Sequence, residues 1–361
     1  MLATPSVTVL VPFTVVFTQR NNSTRGNPWA GLGSEQTSVA TSGVSPARLP
    51  ALTRRTSPSA PCGAATVCEM SCHCPLPAWK GRHNNPRTAS RPVVFRESEG
   101  FPDTRFQVPC GQCLGCRLDW AGDWATRCEK ESKLHPFNSF ITLTYSEENV
   151  PWALKPTVDK RDFQLFMKRL RKEFGDGIRY FASGEYGDKT FRPHYHALLF
   201  NLDFPDKRLW RQVRGSTLYL SKSLDELWGL GFTSIGAVNF STASYVARYV
   251  LKKLTGPARL HGQADPFVLM SRNPGLGSAW YDKFKNDVYP DGSILVGEAR
   301  IRRPPPYFDR KWAKENWRGF MRLKAKRRLH AIKNISKSLP SALYAKQVIT
   351  QQKVSQLKRE I

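Results

Sequence analysis

The spacing of hydrophobic and polar positions predicts alternating strands and helices from about residue 93 onward. Short apolar or alternating runs predict strands at 93–95, 139–145, 178–183, 194–200 and 231–238. Helical spacing of apolar residues predicts helices at 116–134, 157–175, 220–228 and 241–254. This order predicts an α+β fold in which helices flank an antiparallel sheet, with one tight strand pair across residues 178–200.

The same pattern divides the chain into four segments. Residues 1–69 are rich in Ser, Thr, Pro, Gly and Ala and contain no Lys, Asp or His, so we expect them to be disordered or a misassigned extension, with translation starting at Met70. An intact mass that includes residues 1–69 would refute that start. Residues 70–135 form a cysteine-rich segment and helix, residues 136–300 the α+β core, and residues 301–361 a basic helical tail.

Composition narrows the choice of partners. The chain has 55 Lys and Arg against 29 Asp and Glu, a net charge of +26. That excess favours nucleic acid as partner first and an anionic membrane second. No run of 18 apolar residues spans a bilayer, and the N-terminal apolar stretch lacks the features of a signal peptide. The eight cysteines therefore predict reduced thiols or metal ligands rather than disulfides.

Two histidines interrupt an otherwise apolar strand. His194 and His196 point to the same face because side chains alternate along an extended chain. If the strands on either side of the preceding loop pair as a hairpin, Glu185 comes close to both. Two imidazoles and a carboxylate suit Mg²⁺ or Mn²⁺ with open coordination positions. The alternatives are histidines bonded to backbone or water, and a solvated Glu185 paired with Arg192.

Two tyrosines share a helix face with a lysine. At about 100° per residue, Tyr245, Tyr249 and Lys252 lie on one face of the helix at 241–254, and Ala247, Val250, Leu251 and Leu254 lie on the other. This arrangement predicts phenols held away from the core beside an ammonium group, which favours the nucleophilic phenolate. Two tyrosines one turn apart could attack in succession. The alternatives are aromatic side chains that fill the core and ordinary surface tyrosines.

The order FITLTY, GEYG, RPHYH and YVARYVLKK resembles the three motifs of HUH endonucleases that start rolling-circle replication. It is most similar to the replication initiation proteins of microviruses, in particular the gokushovirus branch, which the segments CPLPAW and PCGQCLGCRLDWAGDWATRCEKE also resemble. The likeness covers roughly residues 70–310.

This resemblance implies a ferredoxin- or RRM-like core and a phage protein that works in the host bacterial cytoplasm. It implies that a tyrosine nicks single-stranded origin DNA, forming a 5′-phosphotyrosine and leaving a 3′-OH for a host polymerase. His194, His196 and Glu185 then hold the metal, Tyr249 makes the first cleavage with Tyr245 as its partner, and Lys252 occupies the lysine of the Tyr-x-x-Lys pattern. The sequence has no Gly-x4-Gly-Lys-Ser/Thr loop, so a host helicase must unwind the DNA.

Cysteines crowd the region before the core. Cys110, Cys113 and Cys116, with Cys128 twelve residues later and Cys72 and Cys74 upstream, have the density of a structural zinc site. We predict Cys110, Cys113, Cys116 and Cys128 as its ligands. Ordinary reduced thiols and an iron–sulfur cluster are the alternatives.

The basic tail combines arginines with aromatic residues. Its cations and rings could neutralise phosphates and stack on bases; the predicted DNA-binding residues are Arg318, Arg322, Arg327 and Arg328, beside Trp312, Trp317 and Phe320. The alternative is a solvated helix face.

Three functions compete at this point. The first is a metal-dependent nicking and joining enzyme of phage replication, and the second is an HUH transposase or plasmid relaxase with the same chemistry. The third is a zinc-stapled nucleic-acid-binding protein without catalysis, which leaves the coincidence of the histidines, Glu185 and the tyrosines unexplained.

Overall fold

The computed structural model describes residues 71–85, 91–151, 155–187, 190–213, 216–252, 262–289, 291–297 and 300–356, and the side chains of 249–252 fall outside the described part. The expectations for residues 1–69 also lie outside the described residues. Described strands are β1 (Leu76–Lys80), β2 (Val93–Val94), β3 (Phe106–Val108), β4 (Asn138–Tyr145), β5 (Arg179–Tyr186), β6 (Pro193–Phe200), β7 (Arg208–Val213), β8 (Ser216–Leu220), β9 (Gly231–Gly236), β10 (Phe267–Met270), β11 (Ile294–Val296) and β12 (Arg300–Arg302). Described helices are α1 (Leu114–Ser132), α2 (Lys160–Phe174), α3 (Lys222–Trp228), α4 (Phe240–Lys252), α5 (Ser278–Val288), α6 (Pro306–Glu315), α7 (Trp317–Lys333) and α8 (Pro340–Ser355).

A seven-stranded sheet is the framework of the fold. Its strand order is β10-β5-β6-β4-β9-β8-β7, and all of its pairings are antiparallel. The predicted α+β fold with an antiparallel sheet flanked by helices is confirmed. Strand β6 lies inside the sheet, with β5 on one side and β4 on the other, so both of its edges are hydrogen-bonded.

The first face of the sheet is covered by α2 and α3. Asp159 caps α2 by accepting a hydrogen bond from the Arg161 amide, and Gly175 ends the helix at a φ of 93°. The apolar stripe predicted for this helix is buried against alternate residues of β4 and β6, which include Leu143, Tyr195 and Leu199. This packing leaves the other side chains of β4 and β6, including the histidines, on the second face.

Helices α1 and α4 cover part of the second face. Small side chains allow them to approach closely, and they pack with Phe140, Phe181, Leu198 and Phe200 of the sheet; the small members of this cluster are Ala121, Ala125, Cys128, Ala243 and Ala247. All four of these sheet residues lie toward one end of their strands, beyond His196. The covering of the second face therefore stops beside the histidines.

Two compact units account for the described residues, and each is described by itself. The first comprises residues 78–105, where Trp79 of β1 pairs with Val94 of β2. The second comprises residues 71–77 and 106–356, which include the large sheet and the helices of the basic tail. The predicted segment boundaries at residues 135 and 300 fall inside this second unit. Among the described helices, none combines the length and the hydrophobicity that a membrane span requires.

Candidate active site

The two histidines lie on β6, at the point where the helix covering ends. His196 is almost fully buried and His194 is partly buried. They are on the same face of the sheet, as the sequence predicts. Their ring centroids are 4.8 Å apart, so the imidazoles lie side by side over the sheet.

Glu185 lies directly opposite His194 in the β5–β6 pairing. Its side chain is buried, with a residue exposure of 1%, and its Oε1 atom is 3.1 Å from His194 Nε2 and 3.2 Å from His196 Nε2. The alternative of a solvated Glu185 paired with Arg192 does not fit this geometry. Arg192 instead pairs with Glu147 and donates to the Tyr145 carbonyl.

Hydrogen bonds orient both imidazoles toward this carboxylate. His194 Nδ1 lies 3.0 Å from the Arg192 carbonyl oxygen, which only accepts, so Nδ1 must carry the proton. His196 Nδ1 lies 3.0 Å from Thr142 Oγ1 on β4. Both Nε2 atoms are thereby left facing Glu185.

A metal ion fits this arrangement. The neutral His194 ring presents a lone pair at Nε2, and a lone pair 3.1 Å from a carboxylate oxygen is repelled unless a cation or a proton lies between them. The ligand atoms of Glu185, His194 and His196 all lie within 4.8 Å of one another. Two nitrogen donors and one oxygen donor on one side leave coordination positions open for a substrate oxygen.

Tyr245 on α4 reaches the same site. Its ring centroid lies 5.2 Å from that of His196 and 6.5 Å from that of Phe140, with an edge-on orientation to both. The expectation that the phenols are held away from the core is wrong for Tyr245, whose ring is partly buried. The reason is that α4 lies across the end of the sheet, so its small face contacts α1 while Tyr245 contacts the strands.

The other predicted helix residues are placed only by their backbone. Tyr249 lies one helical turn after Tyr245, and Lys252 is the last residue of α4. Their side chains, and those of Val250 and Leu251, are outside the described residues, as is Leu254. The roles predicted for Tyr249 and Lys252 stay predictions.

The cysteine cluster has a different fourth member from the one that the spacing suggested. Cys72 lies with Cys110, Cys113 and Cys116, and the four sulfur atoms are within 4.8 Å of one another. Cys128 is not among them. It is fully buried between α1, α4 and the sheet, where burial raises the pKa of its thiol well above the usual range. A thiol in that apolar position serves as a small core side chain.

Burial and hydrogen bonds act in opposite directions on the clustered thiols. Burial raises the pKa of Cys72 to about 11. Burial also acts to raise the pKa of Cys113, but hydrogen bonds from backbone amides, with those from neighbouring thiols, outweigh it and lower this pKa to about 6. The Cys113 sulfur is thus prepared to be a thiolate.

The tail arginines fall into two groups. Arg318, Arg322 and Arg328 are exposed on α7. Arg327 is half-buried and makes two hydrogen bonds to the Asp309 carboxylate of α6, at 2.6 and 3.2 Å. Arg327 therefore has a structural contact that the basic run did not reveal. Trp312 is likewise occupied, because it stacks on Tyr289 at a centroid distance of 4.8 Å.

Thr142 is a site residue that the sequence reasoning missed. It lies on β4 opposite His196, and its hydroxyl group contacts that ring. The signal was present in FITLTY, where alternation places Thr142 and Thr144 on one face. Only the register of β4 against β6 shows which histidine each threonine meets.

Comparison with known proteins agrees with this geometry. Residues 138–254 match the family model of the replication-associated protein ORF2, a range that begins with β4 and ends just after α4. The chain is 38% identical over 220 residues to the replication-associated protein ORF2 of Spiroplasma virus 4, covering 58% of this chain and 68% of that protein. The chain belongs to the family of phage replication-associated proteins.

Two further members of this family show similar likeness. The replication-associated protein VP4 of Bdellovibrio phage phiMH2K is 33% identical over 220 residues, covering 58% of this chain and 69% of that protein. The replication-associated protein ORF4 of Chlamydia phage 1 is 31% identical over 157 residues, covering 41% and 39%. The predicted resemblance to microvirus replication proteins is confirmed. No solved structure matches the chain significantly.

Proposed function

We propose that this phage replication protein initiates rolling-circle replication by nicking and rejoining single-stranded origin DNA through a 5′-phosphotyrosine. The observation that carries the proposal is the 5.2 Å approach of the Tyr245 ring to His196, which itself faces Glu185 beside His194. A phenol and a candidate metal centre thus meet on one open sheet face. A protein that only bound DNA would not need this convergence.

The chemistry conserves phosphodiester bonds. The phenol oxygen of one tyrosine attacks the scissile phosphorus, the bond to the 3′ oxygen breaks, and the 3′ oxygen gains a proton as the phenol loses one. Attack by a 3′-hydroxyl group on the phosphotyrosine then rejoins a strand and frees the tyrosine. No nucleotide cofactor is consumed in either direction.

The side chains of the site prepare this reaction. Glu185, His194 and His196 would hold Mg²⁺ or Mn²⁺, which when bound supplies positive charge to the oxygens of the scissile phosphate. The Arg192 carbonyl and Thr142 keep both Nε2 atoms turned toward Glu185. Tyr245 and Tyr249 are one turn apart on α4 and would act in succession, with Tyr249 cleaving first and Lys252 favouring the phenolate.

The remaining elements of the proposal concern partners. The exposed Arg318, Arg322 and Arg328 would hold the DNA backbone, and host helicase and polymerase would unwind and extend the strand in the bacterial cytoplasm. The names of the relatives favour this reading over a transposase or relaxase, since all three are phage replication-associated proteins.

Adduct formation tests the proposal. The full chain is incubated with Mn²⁺ and labelled single-stranded fragments that tile the phage genome encoding it. We expect a covalent protein–DNA adduct that needs the divalent ion and is lost in the double variant Tyr245→Phe/Tyr249→Phe. The single variants show which tyrosine cleaves first.

Tyr344→Phe is the matched control, because Tyr344 is an exposed tyrosine on α8. Its adduct yield should equal that of the wild type. An adduct that persists in the double variant, or no adduct with any fragment, would contradict the proposed function.

A further inference from the structure

The cysteine cluster outside the active site has the dimensions of a metal site. Cys72 Sγ lies 3.7 Å from Cys110 Sγ and 3.8 Å from Cys113 Sγ. In a tetrahedral site with zinc–sulfur bonds of about 2.3 Å, neighbouring sulfurs are about 3.8 Å apart. The separations are too long for disulfides and match the edges of such a tetrahedron.

Backbone amides point at the sulfurs, as thiolate ligands require. The Cys110 amide donates to Cys72 Sγ at 3.3 Å, the Cys113 amide to Cys110 Sγ at 3.2 Å, and the His73 amide to Cys113 Sγ at 3.2 Å. Four clustered thiolates would repel one another, and these donors together with a cation offset that repulsion.

We propose that Cys72, Cys110, Cys113 and Cys116 bind a structural zinc ion that joins the segment around residue 72 to the first turn of α1. Zinc suits this place because four sulfur ligands close its tetrahedral shell and the site needs no redox change. The proposal is independent of the nicking chemistry.

The chain around this cluster is built for close contact. A Cβ atom at Gly115 would lie 1.7 Å from the Ser71 carbonyl oxygen, so only glycine allows the upstream segment to cross the start of α1. Cys113 precedes α1 and Cys116 lies in its first turn. Helix α1 packs in turn against α4, the helix of the two tyrosines. The zinc ion would therefore brace the support of the nucleophile helix.

Zinc content of the purified full chain tests this ligand set. We expect about one zinc per chain in the wild type and a loss of it in Cys72→Ser. Cys74→Ser is the matched control, because Cys74 is exposed and only two residues away, and Cys128→Ala tests the ligand that the sequence suggested. Both controls should keep the zinc.

Cobalt substitution of the wild-type chain gives a second measurement that does not depend on the folding of a variant. Four thiolates around Co²⁺ produce strong visible absorption typical of a tetrahedral site. Zinc retained in Cys72→Ser, zinc lost in Cys128→Ala, iron in place of zinc, or no tetrahedral cobalt spectrum would each overturn the proposal.

A separate observation concerns the open part of the sheet face. Thr144 pairs with His194 on one side and with Phe232 of β9 on the other. Directly paired residues share a face, so Phe232 stands in the same row as Glu185 and His194, roughly 10 Å from His194 across two strand spacings. Its exposed fraction is 69%, although its strand lies inside the sheet.

We infer that Phe232 is a positioning residue on which a base next to the scissile phosphate stacks. This inference rests on the proposed function. A nucleobase is the fitting occupant because the row continues directly from the candidate metal centre, and aromatic rings beside backbone-binding cations are the usual platform for single strands.

The test pairs protein and DNA changes. The Tyr245→Phe/Tyr249→Phe chain, which cannot cleave, is titrated with a fragment that gives adducts with the wild type, and abasic sites are scanned along it. One abasic position should weaken binding about tenfold, and that position should have no effect once Phe232→Leu is added. Phe137→Leu is the control, because Phe137 is similarly exposed at the opposite end of β4.

The outcomes separate the two proposals. Failure of the wild type to form any adduct contradicts the proposed function itself. Adducts together with an unchanged abasic profile in Phe232→Leu overturn only the stacking role.

Discussion

Different partners orient the two imidazoles of the candidate metal centre. His194 is fixed by a backbone carbonyl in the loop before β6, whereas His196 is fixed by the Thr142 side chain on the neighbouring strand. A ligand imidazole depends on the hydrogen bond of its other nitrogen, which sets both its tautomer and its direction. The orientation of His196 can therefore be disturbed by one conservative substitution, while that of His194 cannot.

Thr142→Val is the substitution that isolates this contact. Valine fills the same place on β4 but offers no oxygen to His196, so we expect the Mn²⁺ concentration for half-maximal adduct formation to rise about 10- to 100-fold. Saturating Mn²⁺ should restore most of the rate. Thr144→Val, two residues along the same face, should leave the Mn²⁺ dependence unchanged. Equal Mn²⁺ dependence of Thr142→Val and wild type would contradict this role.

The sequence predicted much of this site at the level of single residues. Strand alternation was enough to place His194 and His196 on one face, and the hairpin brought Glu185 opposite His194. The exposure of Tyr245 could not be predicted in this way. A helical wheel separates apolar from polar sides but does not show that the polar side of α4 lies over the sheet.

At the scale of elements, the tail helices are joined by specific contacts. Asp309 of α6 receives both Arg327 of α7 and the Tyr289 hydroxyl group, the latter at 2.8 Å. Tyr289 also stacks on Trp312. Arg327 and Arg328 are adjacent in sequence, yet one is part of this packing and the other is exposed.

Replacing each of these arginines with glutamine separates the two roles. Arg327→Gln removes a charge-assisted pair to a largely buried carboxylate, so we expect the free energy of unfolding to fall by about 1–3 kcal/mol. Arg328→Gln should change it by less than about 0.5 kcal/mol. Denaturant unfolding of the full chain measures both. Equal stability of the two variants would show that the Asp309 contact contributes little.

Elements with a strong internal pattern were predicted, and elements that depend on neighbours were missed. Helix α2 and strands β5 and β6 were found because their apolar spacing is regular and their ends carry caps or turns. Strands β7, β8 and β10 were not predicted. They are short, β7 is largely exposed, and β10 is recognised only by its pairing with β5. The proposed zinc ligand Cys72 was missed for a similar reason, since it is 38 residues from Cys110 along the chain.

At the scale of the whole molecule, a net charge of +26 sets the salt dependence of DNA binding. Each phosphate that a cation neutralises releases counterions, and for single strands the slope of log K against log salt is about −0.7 per contact. Position then distinguishes cations that contact DNA from those that only add charge. Arg318, Arg322 and Arg328 are exposed on α7, whereas Arg161, Lys168 and Lys172 are exposed on α2, on the face of the sheet opposite the histidines.

Two triple variants with the same change in net charge test this distinction. Replacing Arg318, Arg322 and Arg328 with glutamine should reduce the magnitude of the salt slope by about 2, because three contacts of about 0.7 each are lost. The matched replacement of Arg161, Lys168 and Lys172 should leave the slope nearly unchanged. Binding of single-stranded fragments at a series of salt concentrations measures both slopes. Equal slopes for the two variants would mean that the tail contributes only general charge, and the DNA path would then have to follow other cations near the open sheet face.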